Sequence, residues 1–358
     1  EAETQYSRDS RVRSDMNAVV FHEHGGPGKL QYQEMPMPTI GVDEVLVRVK
    51  ACALNHLDIW IRQGSPAYPM PLPHILGSDI SGVVHQIGSH VEGVAEGERV
   101  YVSPGVGCGR CEHCWAGRDN MCRSYGLIGA MCHGGYAEYV KVPARNVFPI
   151  PGALSFEQAA AFPLVSVTAW HMLFGLAAVQ PGEDVLIMGA GSGVGHMAIQ
   201  MAKLAGARVL TTVGSDDKMA KAKALGADEV INHSREQVNQ RVRELTHRRG
   251  VDVVIEHIGP EVWTQCIDAL AKGGRLITCG ATTGAEVKLD LRYVYSRQLT
   301  IRGSYMGSQS ELLKAAQLVG QGRLQPVIDR TFPLSEAKAA QEYLLNRKFF
   351  GKIVLSVS

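Results

Sequence analysis

Met188-Gly189-Ala190-Gly191-Ser192-Gly193-Val194-Gly195 is the stretch of this sequence that decides the fold. It follows a short apolar run at 184–188 and precedes a helical stripe of apolar residues. Glycines in such a turn let the backbone approach a pyrophosphate closely, and the start of the helix presents free N–H donors and the favourable end of the helix dipole. A glycine-rich turn alone is weak evidence, because any tight strand-to-helix connection can have this composition. The strand before it, the helix after it and the strand–helix units that follow predict dinucleotide binding by Gly191, Ser192, Gly193, Val194 and Gly195.

Strands and helices alternate along the chain from about residue 182. The strands are short and nearly continuously apolar, which predicts a parallel sheet covered by helices on both faces. The further predicted strands are at 208–213, 229–231, 251–255, 275–279 and 299–301. Residues 17–150 instead show short alternating runs separated by glycine and proline turns, which predicts a β-rich unit. The fold class is therefore α/β, with a doubly wound parallel sheet beside a β-rich domain.

The composition is that of an ordinary globular protein and argues against several classes of partner. The 358 residues are 45% hydrophobic and 20% charged, with 36 Lys and Arg against 35 Asp and Glu. This balance provides no charge field for nucleic acid or an anionic membrane, so neither partner is expected. We find no apolar run that approaches the roughly 20 residues needed to span a bilayer. Residues 1–16 are polar and lack the apolar core of a secretory signal, so we expect a disordered N-terminal extension on a cytoplasmic protein.

The end of the second strand of the parallel sheet bears on which dinucleotide is bound. An NAD enzyme usually places a carboxylate there for the ribose 2′-hydroxyl, but this strand ends Thr212-Val213-Gly214-Ser215. Ser215 is expected to cap the next helix, and Lys218 lies close enough to meet a 2′-phosphate together with that hydroxyl. The alternative is that Ser215 only caps and Lys218 is an ordinary surface lysine. The pattern favours NADP(H) over NAD(H).

Four of the eight cysteines crowd into one short loop, at Cys108, Cys111, Cys114 and Cys122. Four thiolates suit tetrahedral zinc, and they fill its coordination sphere, so no position stays open for water or substrate. The loop therefore predicts one structural zinc ion. An iron–sulfur cluster and unmetallated thiols are the competing interpretations, and the first is disfavoured because no other redox-centre motif accompanies the cysteines.

Three further motifs accompany the glycine loop and the cysteines: Gly-Gly-Tyr-Ala-Glu-Tyr-Val at 134–140, Thr168-Ala169-Trp170, and Ala-Leu-Gly-Ala at 224–227. With them the sequence resembles the zinc-containing medium-chain dehydrogenase/reductase superfamily over nearly its whole length. The four-cysteine spacing is similar to the structural zinc lobe of the alcohol dehydrogenases in that superfamily.

The resemblance implies a particular domain organisation. A GroES-like β-rich catalytic domain that carries the zinc lobe is expected at 17–155 and 309–358, formed from both ends of the chain. A Rossmann dinucleotide-binding domain is expected between them, at 156–308.

The sequence departs from the alcohol dehydrogenases at their catalytic zinc. That branch binds the ion through Cys, His and Cys, and the matching positions here hold Asn55, Ser78 and Leu164. Zinc prefers thiolate, imidazole or carboxylate ligands, so these three side chains do not make a tight zinc site.

The segment Ala-Leu-Asn-His-Leu-Asp-x-x-x-Arg-x-Gly at 53–64 instead resembles the zinc-free quinone oxidoreductase branch. That branch commonly uses NADPH, in agreement with the strand end at Ser215. Related reductases often carry Tyr where this chain has Trp60, so a tyrosine proton donor cannot be carried over. The resemblance implies an NADPH-dependent reductase that transfers hydride to a quinone or an α,β-unsaturated carbonyl without a catalytic zinc.

The resemblance and the sheet geometry also suggest site residues. The catalytic candidates are Asn55, Asp58 and Thr168. Asn55 is expected to hydrogen-bond near the nicotinamide or substrate, Thr168 to contact the nicotinamide end and Asp58 to orient its neighbours, with local turn capping as the alternative for Asn55 and Asp58. The residues expected to line the cofactor cleft at the carboxyl edge of the sheet are Gly280, Ala281 and Thr282. Lys352 is expected either to contact a cofactor phosphate or to be an ordinary surface lysine.

Two other functions stay open at this point. One is an alcohol dehydrogenase with an atypical metal site formed by His56, His74, Cys132 and His133. The other is a catalytically idle NADPH-binding protein. The metal count separates the first from a reductase, since a reductase holds one zinc per chain and the alcohol dehydrogenase two. Residues 300–305 resemble the dimerising edge of the superfamily, so a homodimer or homotetramer acting on a small molecule is expected.

Overall fold

The computed structural model describes residues 14–358. Its first part contains β1 (Asp15–Phe21), β2 (Gln31–Pro36), β3 (Glu44–Ala53), α1 (His56–Gln63), β4 (His74–Ile75), β5 (Asp79–Ile87), β6 (Arg99–Val102), β7 (Gly105–Val106), α2 (Glu112–Trp115), β8 (Gly126–Leu127), β9 (Tyr139–Pro143) and β10 (Val147–Pro149). The middle part contains α3 (Phe156–Ala161), α4 (Pro163–Trp170), β11 (Asp184–Ile187), α5 (Gly193–Leu204), β12 (Arg208–Val213), α6 (Asp217–Ala224), β13 (Glu229–Asn232), α7 (Val238–Leu245), β14 (Val251–Glu256), α8 (Pro260–Ala269), β15 (Leu270–Thr278), α9 (Leu291–Ser296) and β16 (Thr300–Gly303). The chain then closes with α10 (Gln309–Gly320), β17 (Ile328–Pro333), α11 (Ala337–Leu345) and β18 (Lys352–Ser356).

The middle part forms the parallel sheet predicted from the glycine loop. Its strand order is β13-β12-β11-β14-β15-β16, and every pairing in it is parallel. The strands are apolar because helices cover both faces: Val185, Leu186 and Ile187 of β11 are each fully buried. β15 begins at Leu270, earlier than the predicted 275–279. β12 and β13 follow on one side of β11, and β14, β15 and β16 follow on its other side. At such a switch point a crevice opens at the carboxyl ends of the strands.

The β-rich part is built from both ends of the chain. Its main sheet has the order β10-β6-β5-β3-β18-β17, and β9 also pairs with β3. The last strand, β18, runs antiparallel to β3, with Val354 opposite Ala53. The predicted fold class is confirmed: a GroES-like β-rich part accompanies a Rossmann parallel sheet. The domain bounds at 17–155, 156–308 and 309–358 stay a prediction.

The fold begins before the end of the N-terminal extension that was predicted at 1–16. Asp15 and Met16 belong to β1, which pairs antiparallel with β2 from Asp15 opposite Pro36. Strand pairing and the burial of Met16 hold this segment in the fold. The remainder of the predicted extension, residues 1–13, lies outside the described residues.

An apolar helical run crosses from the β-rich part to the parallel sheet. Phe156–Leu176 is 21 residues long with a mean hydropathy of 1.5, so by length and composition it matches a membrane span, and the expectation that no run approaches this length is wrong. Two thirds of its most apolar window (67%) is buried inside the protein. Its first helix, α3, packs on β3, β5 and β18, and α4 packs on α5 and α10. Such packing accounts for the apolar composition, since a helix that is apolar all round is buried in a core or in a membrane.

Candidate active site

A cleft of about 720 Å³ lies between the two sheets. On one side it is lined by the glycine loop and by residues at the carboxyl ends of β12, β14 and β15. On the other side it is lined by α1, by the start of β18 and by the segment that precedes β18. The switch point of the parallel sheet therefore faces the β-rich part, which is the position where open α/β sheets bind their ligands.

The glycine loop holds the first turn of α5 against the end of β11. Ser192 caps this helix, since its Oγ accepts a hydrogen bond of 2.8 Å from the Gly195 N–H. A Cβ at Gly195 would lie 2.1 Å from the carbonyl oxygen of Gly189, so only glycine allows this approach. Gly191, Ser192, Gly193 and Val194 line the cleft itself. The loop thus has the room and the backbone donors that a pyrophosphate requires.

The end of β12 differs from the prediction in one detail. The N-cap of α6 is Asp216, one residue after the predicted Ser215. Because the Asp216 carboxylate accepts a hydrogen bond of 2.7 Å from Asn232, it is turned toward β13. Gly214 and Lys218 line the cleft, and the Lys218 ammonium donates to the carbonyl of Arg347 at 2.9 Å. A glycine and a lysine therefore lie where an NAD enzyme usually has a carboxylate.

Lys352 is buried, so the alternative of an ordinary surface lysine is wrong. Only 2% of it is exposed, and its ammonium donates to Asn55 Oδ1 at 2.7 Å and to Asp79 Oδ2 at 3.0 Å. Both contacts are with side chains of the β-rich part, and the contact with a cofactor phosphate stays a prediction. Asp79 was missed as a site residue, although it belongs to the Gly77-Ser78-Asp79 motif that had already been compared with a zinc-ligand motif.

Asn55 and Asp58 form a network at the start of α1. The amide of Asn55 is engaged at both ends, since Nδ2 donates to Asp79 Oδ2 at 2.9 Å while Oδ1 accepts from Lys352. Asp58 lies behind Asn55, fully buried, and its Oδ2 accepts from the Asn55 N–H at 2.8 Å and from the Tyr136 hydroxyl at 3.2 Å. Its Oδ1 has no hydrogen-bond partner within residues 14–358. This geometry gives Asp58 the orienting and capping role, at a distance from the cleft surface.

The other predicted residues fall at two places. Thr168 lines the cleft, with its hydroxyl donating to the Leu164 carbonyl at 2.7 Å. Gly280 and Thr282 also line the cleft, whereas Ala281 lies on an adjoining hollow beside Gly284. His257 was not predicted; it lies at the end of β14, and its Nε2 is 3.0 Å from Ser192 Oγ. No local pattern identifies it, because only the parallel sheet brings the end of β14 beside the loop after β11.

The four cysteines of the loop come together as predicted. The ligand atoms of Cys108, Cys111, Cys114 and Cys122 all lie within 4.8 Å of one another. Four thiolates at this spacing fit tetrahedral zinc, and they leave no position for a substrate. The site therefore suits a structural ion.

The alternative metal site does not form. Among residues 14–358, the four-cysteine cluster is the only group of three or more His, Cys, Asp or Glu side chains placed to share an ion. His74 and His133 are neighbours, with ring centroids 5.4 Å apart. Their hydrogen bonds are with the backbone, from His74 Nε2 to the Gly129 carbonyl and from the Ile75 N–H to His133 Nδ1. His56 instead packs edge-on against Trp60 in the cleft wall.

Comparison with known proteins gives consistent matches along the chain. Residues 41–152 match the family described as the alcohol dehydrogenase GroES-like domain, and residues 193–321 match the family described as zinc-binding dehydrogenase. An NAD-dependent alcohol dehydrogenase of Sulfolobus acidocaldarius is 34% identical, over 96% of this chain and 100% of its own length. Quinone oxidoreductase 1 of Escherichia coli is 30% identical, over 94% of this chain and 98% of its own length. A crystal structure of an NAD-dependent alcohol dehydrogenase has a TM-score of 0.92 at 49% identity, and the match covers 96% of this chain and 100% of that one.

The purified protein is expected to contain about one zinc ion per chain, bound by the four cysteines. Cys111→Ser should remove most of the zinc, measured by inductively coupled plasma mass spectrometry, and lower the free energy of unfolding by about 3 kcal/mol or more, because binding at a structural site contributes to folding. Cys132→Ser is the matched control, since Cys132 is exposed and outside the cluster, and it should keep the ion. Two ions per chain would contradict the single-site prediction.

The protonation of Asp58 should make stability depend on pH. Burial raises the pKa of Asp58 to about 6, against the opposing hydrogen bond from the Asn55 backbone. Because the folded chain keeps this proton to a higher pH than the unfolded chain, the free energy of unfolding should fall as the pH rises from about 4 to about 6 and stay low above it. Asp58→Asn stays uncharged, so it should be more stable than the wild type by about 3 kcal/mol at pH 8 and should lose this advantage near pH 4.

Urea unfolding of both proteins across this pH range measures the difference. Asp43→Asn is the matched control, because the Asp43 side chain is 79% exposed and its removal should leave the pH profile unchanged. An advantage of Asp58→Asn that is constant from pH 4 to pH 8 would show that Asp58 does not titrate in this range.

Proposed function

This chain belongs to the medium-chain dehydrogenase/reductase superfamily of zinc-binding dehydrogenases, and from that membership we propose that it is an NADPH-dependent reductase acting on quinones or α,β-unsaturated carbonyls. Like its relatives it is an oxidoreductase, and it uses a nicotinamide dinucleotide and binds zinc. The preference for NADP(H) and the class of acceptor are the parts that we propose.

The observation that carries the proposal is the set of side chains at the positions of the catalytic zinc ligands. Asn55, Ser78 and Leu164 offer an amide, a hydroxyl and an alkyl chain, which are poor zinc donors. The amide of Asn55 is already engaged by Lys352 and Asp79. Without a bound Lewis acid, little in the cleft would lower the pKa of an alcohol or stabilise an alkoxide. Simple alcohol oxidation is therefore disfavoured.

The wall of the cleft beside these residues supports a flat, apolar acceptor. The apolar and aromatic side chains that line this end are Leu54, Leu57, Trp60, Tyr68, Leu127, Leu164, Tyr305 and Met306. Pockets of this composition bind ligands by apolar contact and orient them with a few polar groups. Here the polar groups near this wall include Asn55, His56, Thr168 and Lys352. A quinone or an enone combines an apolar body with a carbonyl oxygen and suits both features.

Conjugated acceptors also need less electrophilic help than simple carbonyls. The bound dinucleotide supplies the hydride. As the acceptor is reduced, negative charge spreads through the conjugated system to its oxygen, where hydrogen-bond donors placed in advance stabilise it. Residues of this chain would then act by holding the acceptor, excluding water and presenting donors to that oxygen.

The surroundings of Gly214 support NADP(H). The cleft at this point is lined by Lys218, His233 and Arg347, two of which carry positive charge. Asp216, a carboxylate just after the strand end, is held by Asn232 on the neighbouring strand. Arg and Lys are the usual partners of a phosphate. Relatives described as NAD-dependent are similar along the whole chain, so this preference rests on these residues alone.

We extend the proposal to assembly and location. β16 is the edge of the parallel sheet, and exposed apolar side chains lie beside it, among them Leu291, Tyr295 and Tyr305. An unprotected edge with apolar neighbours favours pairing with a second copy, as a homodimer or as half of a homotetramer. A cytoplasmic location fits the thiolates required at the zinc site.

The activity is tested with a panel of acceptors. NADPH oxidation at 340 nm with benzoquinones, naphthoquinones, enones and simple aldehydes should show turnover of conjugated acceptors with kcat/KM at least about 100-fold above that of aldehydes or of alcohols with NADP⁺. Efficient alcohol oxidation together with a second metal ion would instead support the alcohol dehydrogenase alternative. Turnover of no acceptor would leave the idle, cofactor-binding alternative.

The cofactor preference is tested at Lys218. Lys218→Ala should raise KM for NADPH by about 10-fold or more while changing KM for NADH less than about 3-fold, because a charge-assisted hydrogen bond to the 2′-phosphate is lost. Lys223→Ala is the matched control, since Lys223 is an exposed residue of the same helix, and it should change neither value. Equal effects of Lys218→Ala on both cofactors would mean that Lys218 does not read the 2′-phosphate.

A further inference from the structure

Tyr305 lies between the cleft and a second cavity. The adjoining hollow that contains Ala281 and Gly284 has a volume of about 770 Å³, similar to that of the cleft. Three residues, Cys279, Gly280 and Tyr305, line both cavities. Cysteine has a small side chain and glycine has none, so a partition between the two spaces depends on the Tyr305 ring.

Tyr68 holds this ring from the acceptor end of the cleft. Burial and a hydrogen bond with Tyr305 raise the pKa of Tyr68, so its hydroxyl stays uncharged near neutral pH. Tyr68 follows α1 by a short turn, in which its N–H donates to the Ser65 carbonyl and the Ser65 N–H donates to the Trp60 carbonyl, each at 3.0 Å. The contact between the two tyrosines therefore joins the segment after α1 to the segment after β16.

The Tyr305 ring also packs against Tyr125, which follows the cysteine cluster. The two ring centroids are 5.9 Å apart and the planes are inclined at 76°, an edge-to-face geometry that stabilises aromatic pairs beyond the burial of their surface. The Tyr125 N–H donates to the carbonyl of Cys122 at 2.9 Å. A Cβ at Gly105 would lie 2.1 Å from the Tyr125 hydroxyl oxygen, so glycine at this position leaves room for the ring.

The backbone around Tyr305 is held by the residues just before the last cysteine. Asn120 is buried, and its Nδ2 donates to the Tyr305 carbonyl at 3.4 Å. The carboxylate of Asp119 accepts a hydrogen bond of 2.9 Å from the Gln309 N–H, at the start of α10. Segment 305–309 is thus fixed at both ends. Tyr305 is held through its ring, its hydroxyl and its carbonyl, although 48% of it is exposed.

We propose that Tyr305 limits the size of the acceptor by closing the cleft toward the hollow, and that Tyr125 and Asn120 are positioning residues that hold it there. This inference rests on the proposed function. The apolar wall then accepts a compact ring system, whereas a long alkyl substituent meets the Tyr305 ring. Such a substituent has to displace the ring from Tyr68 and Tyr125, and because those contacts are lost, acceptors with long chains bind more weakly.

Two other roles for Tyr305 lead to different observations. If its hydroxyl donated a hydrogen bond to the acceptor oxygen, Tyr305→Phe would slow the reduction of every acceptor. If its ring served only the pairing of two copies at β16, Tyr305→Ala would alter the mass in solution and leave the preference among acceptors unchanged. A size barrier depends on the ring itself, so Tyr305→Phe keeps the preference and Tyr305→Ala removes it.

The first test compares 1,4-naphthoquinones with a methyl group or a hexyl chain at carbon 2. For the wild type, kcat/KM for the hexyl compound should be lower by about 10-fold or more, as expected when an apolar pocket is too small for a substituent. In Tyr305→Ala the two values should agree within about 3-fold, because the chain can extend into the hollow. Tyr125→Leu and Asn120→Ala keep the Tyr305 ring but remove a contact that holds it, so each should give an intermediate ratio, with the change in KM for the hexyl compound.

The second test requires no turnover. The Kd values of 4-methylphenol and 4-butylphenol for the NADP⁺ complex are measured by isothermal titration calorimetry. The longer chain should not tighten binding to the wild type, whereas it should tighten binding to Tyr305→Ala by up to about 4-fold for each added methylene, the effect of burying a methylene group.

Tyr32→Ala is the matched control, because Tyr32 is 49% exposed, belongs to β2 and does not line the cleft. It should behave as the wild type in both tests, and thermal unfolding and sedimentation should show that Tyr305→Ala is folded and keeps the mass of the wild type. The proposal is overturned if folded Tyr305→Ala has the wild-type preference in either test, if Tyr305→Phe loses it, or if the preference changes only together with the mass. Failure of the wild type to reduce any quinone would refute the proposed function, while the phenol series would still report on Tyr305.

Discussion

The buried ion pair between Lys352 and Asp79 is the interaction on which the arrangement of the site depends. Lys352 begins the last strand and Asp79 begins β5, so the pair joins segments 273 residues apart in sequence. Asn55 adds the cap of α1 to the pair, and the Leu164 backbone adds the helix that leads to the parallel sheet. Removing one partner of such a pair typically costs about 3–5 kcal/mol, because the other charge is left buried and uncompensated. The same contacts therefore join the β-rich side of the cleft to α4 and place a positive charge beside the cleft.

The parts of this site that the sequence predicts are those in which one short segment performs the whole task. The glycine loop can be predicted from its own residues, since Gly195 has to approach Gly189 within the same turn. The cysteine cluster is also local, and its ligand atoms meet as the spacing predicts. The fold class followed from the rhythm of strands and helices, because apolar strands between helices pack only as a covered parallel sheet.

The parts that were not predicted depend on contacts between distant segments or on a helix boundary that differs by one residue. For Lys352 the sequence left two roles open, a phosphate ligand and a surface residue, because no residue near it in the sequence indicates its contact with Asp79. His257 reaches Ser192 only through the pairing of β14 with β11. At the start of α6 the N-cap is Asp216 and not the predicted Ser215, and the Asp216 carboxylate accepts a hydrogen bond from Asn232 on the adjacent strand. Propensity cannot identify that partner before the strand order is known.

The site and the zinc lobe together suggest how this chain divides its use of metal and charge. Four thiolates suit an ion that no substrate could reach, whereas Asn55, Ser78 and Leu164 are poor ligands for a catalytic ion. A divalent ion accepts an alkoxide as a ligand and lowers the pKa of an alcohol, so it serves both directions of an alcohol–carbonyl reaction. Hydrogen-bond donors suffice where conjugation already spreads the developing charge. The side chains at these three positions therefore support the proposed reduction of conjugated acceptors, beside a cofactor loop and a four-cysteine cluster that are both in place.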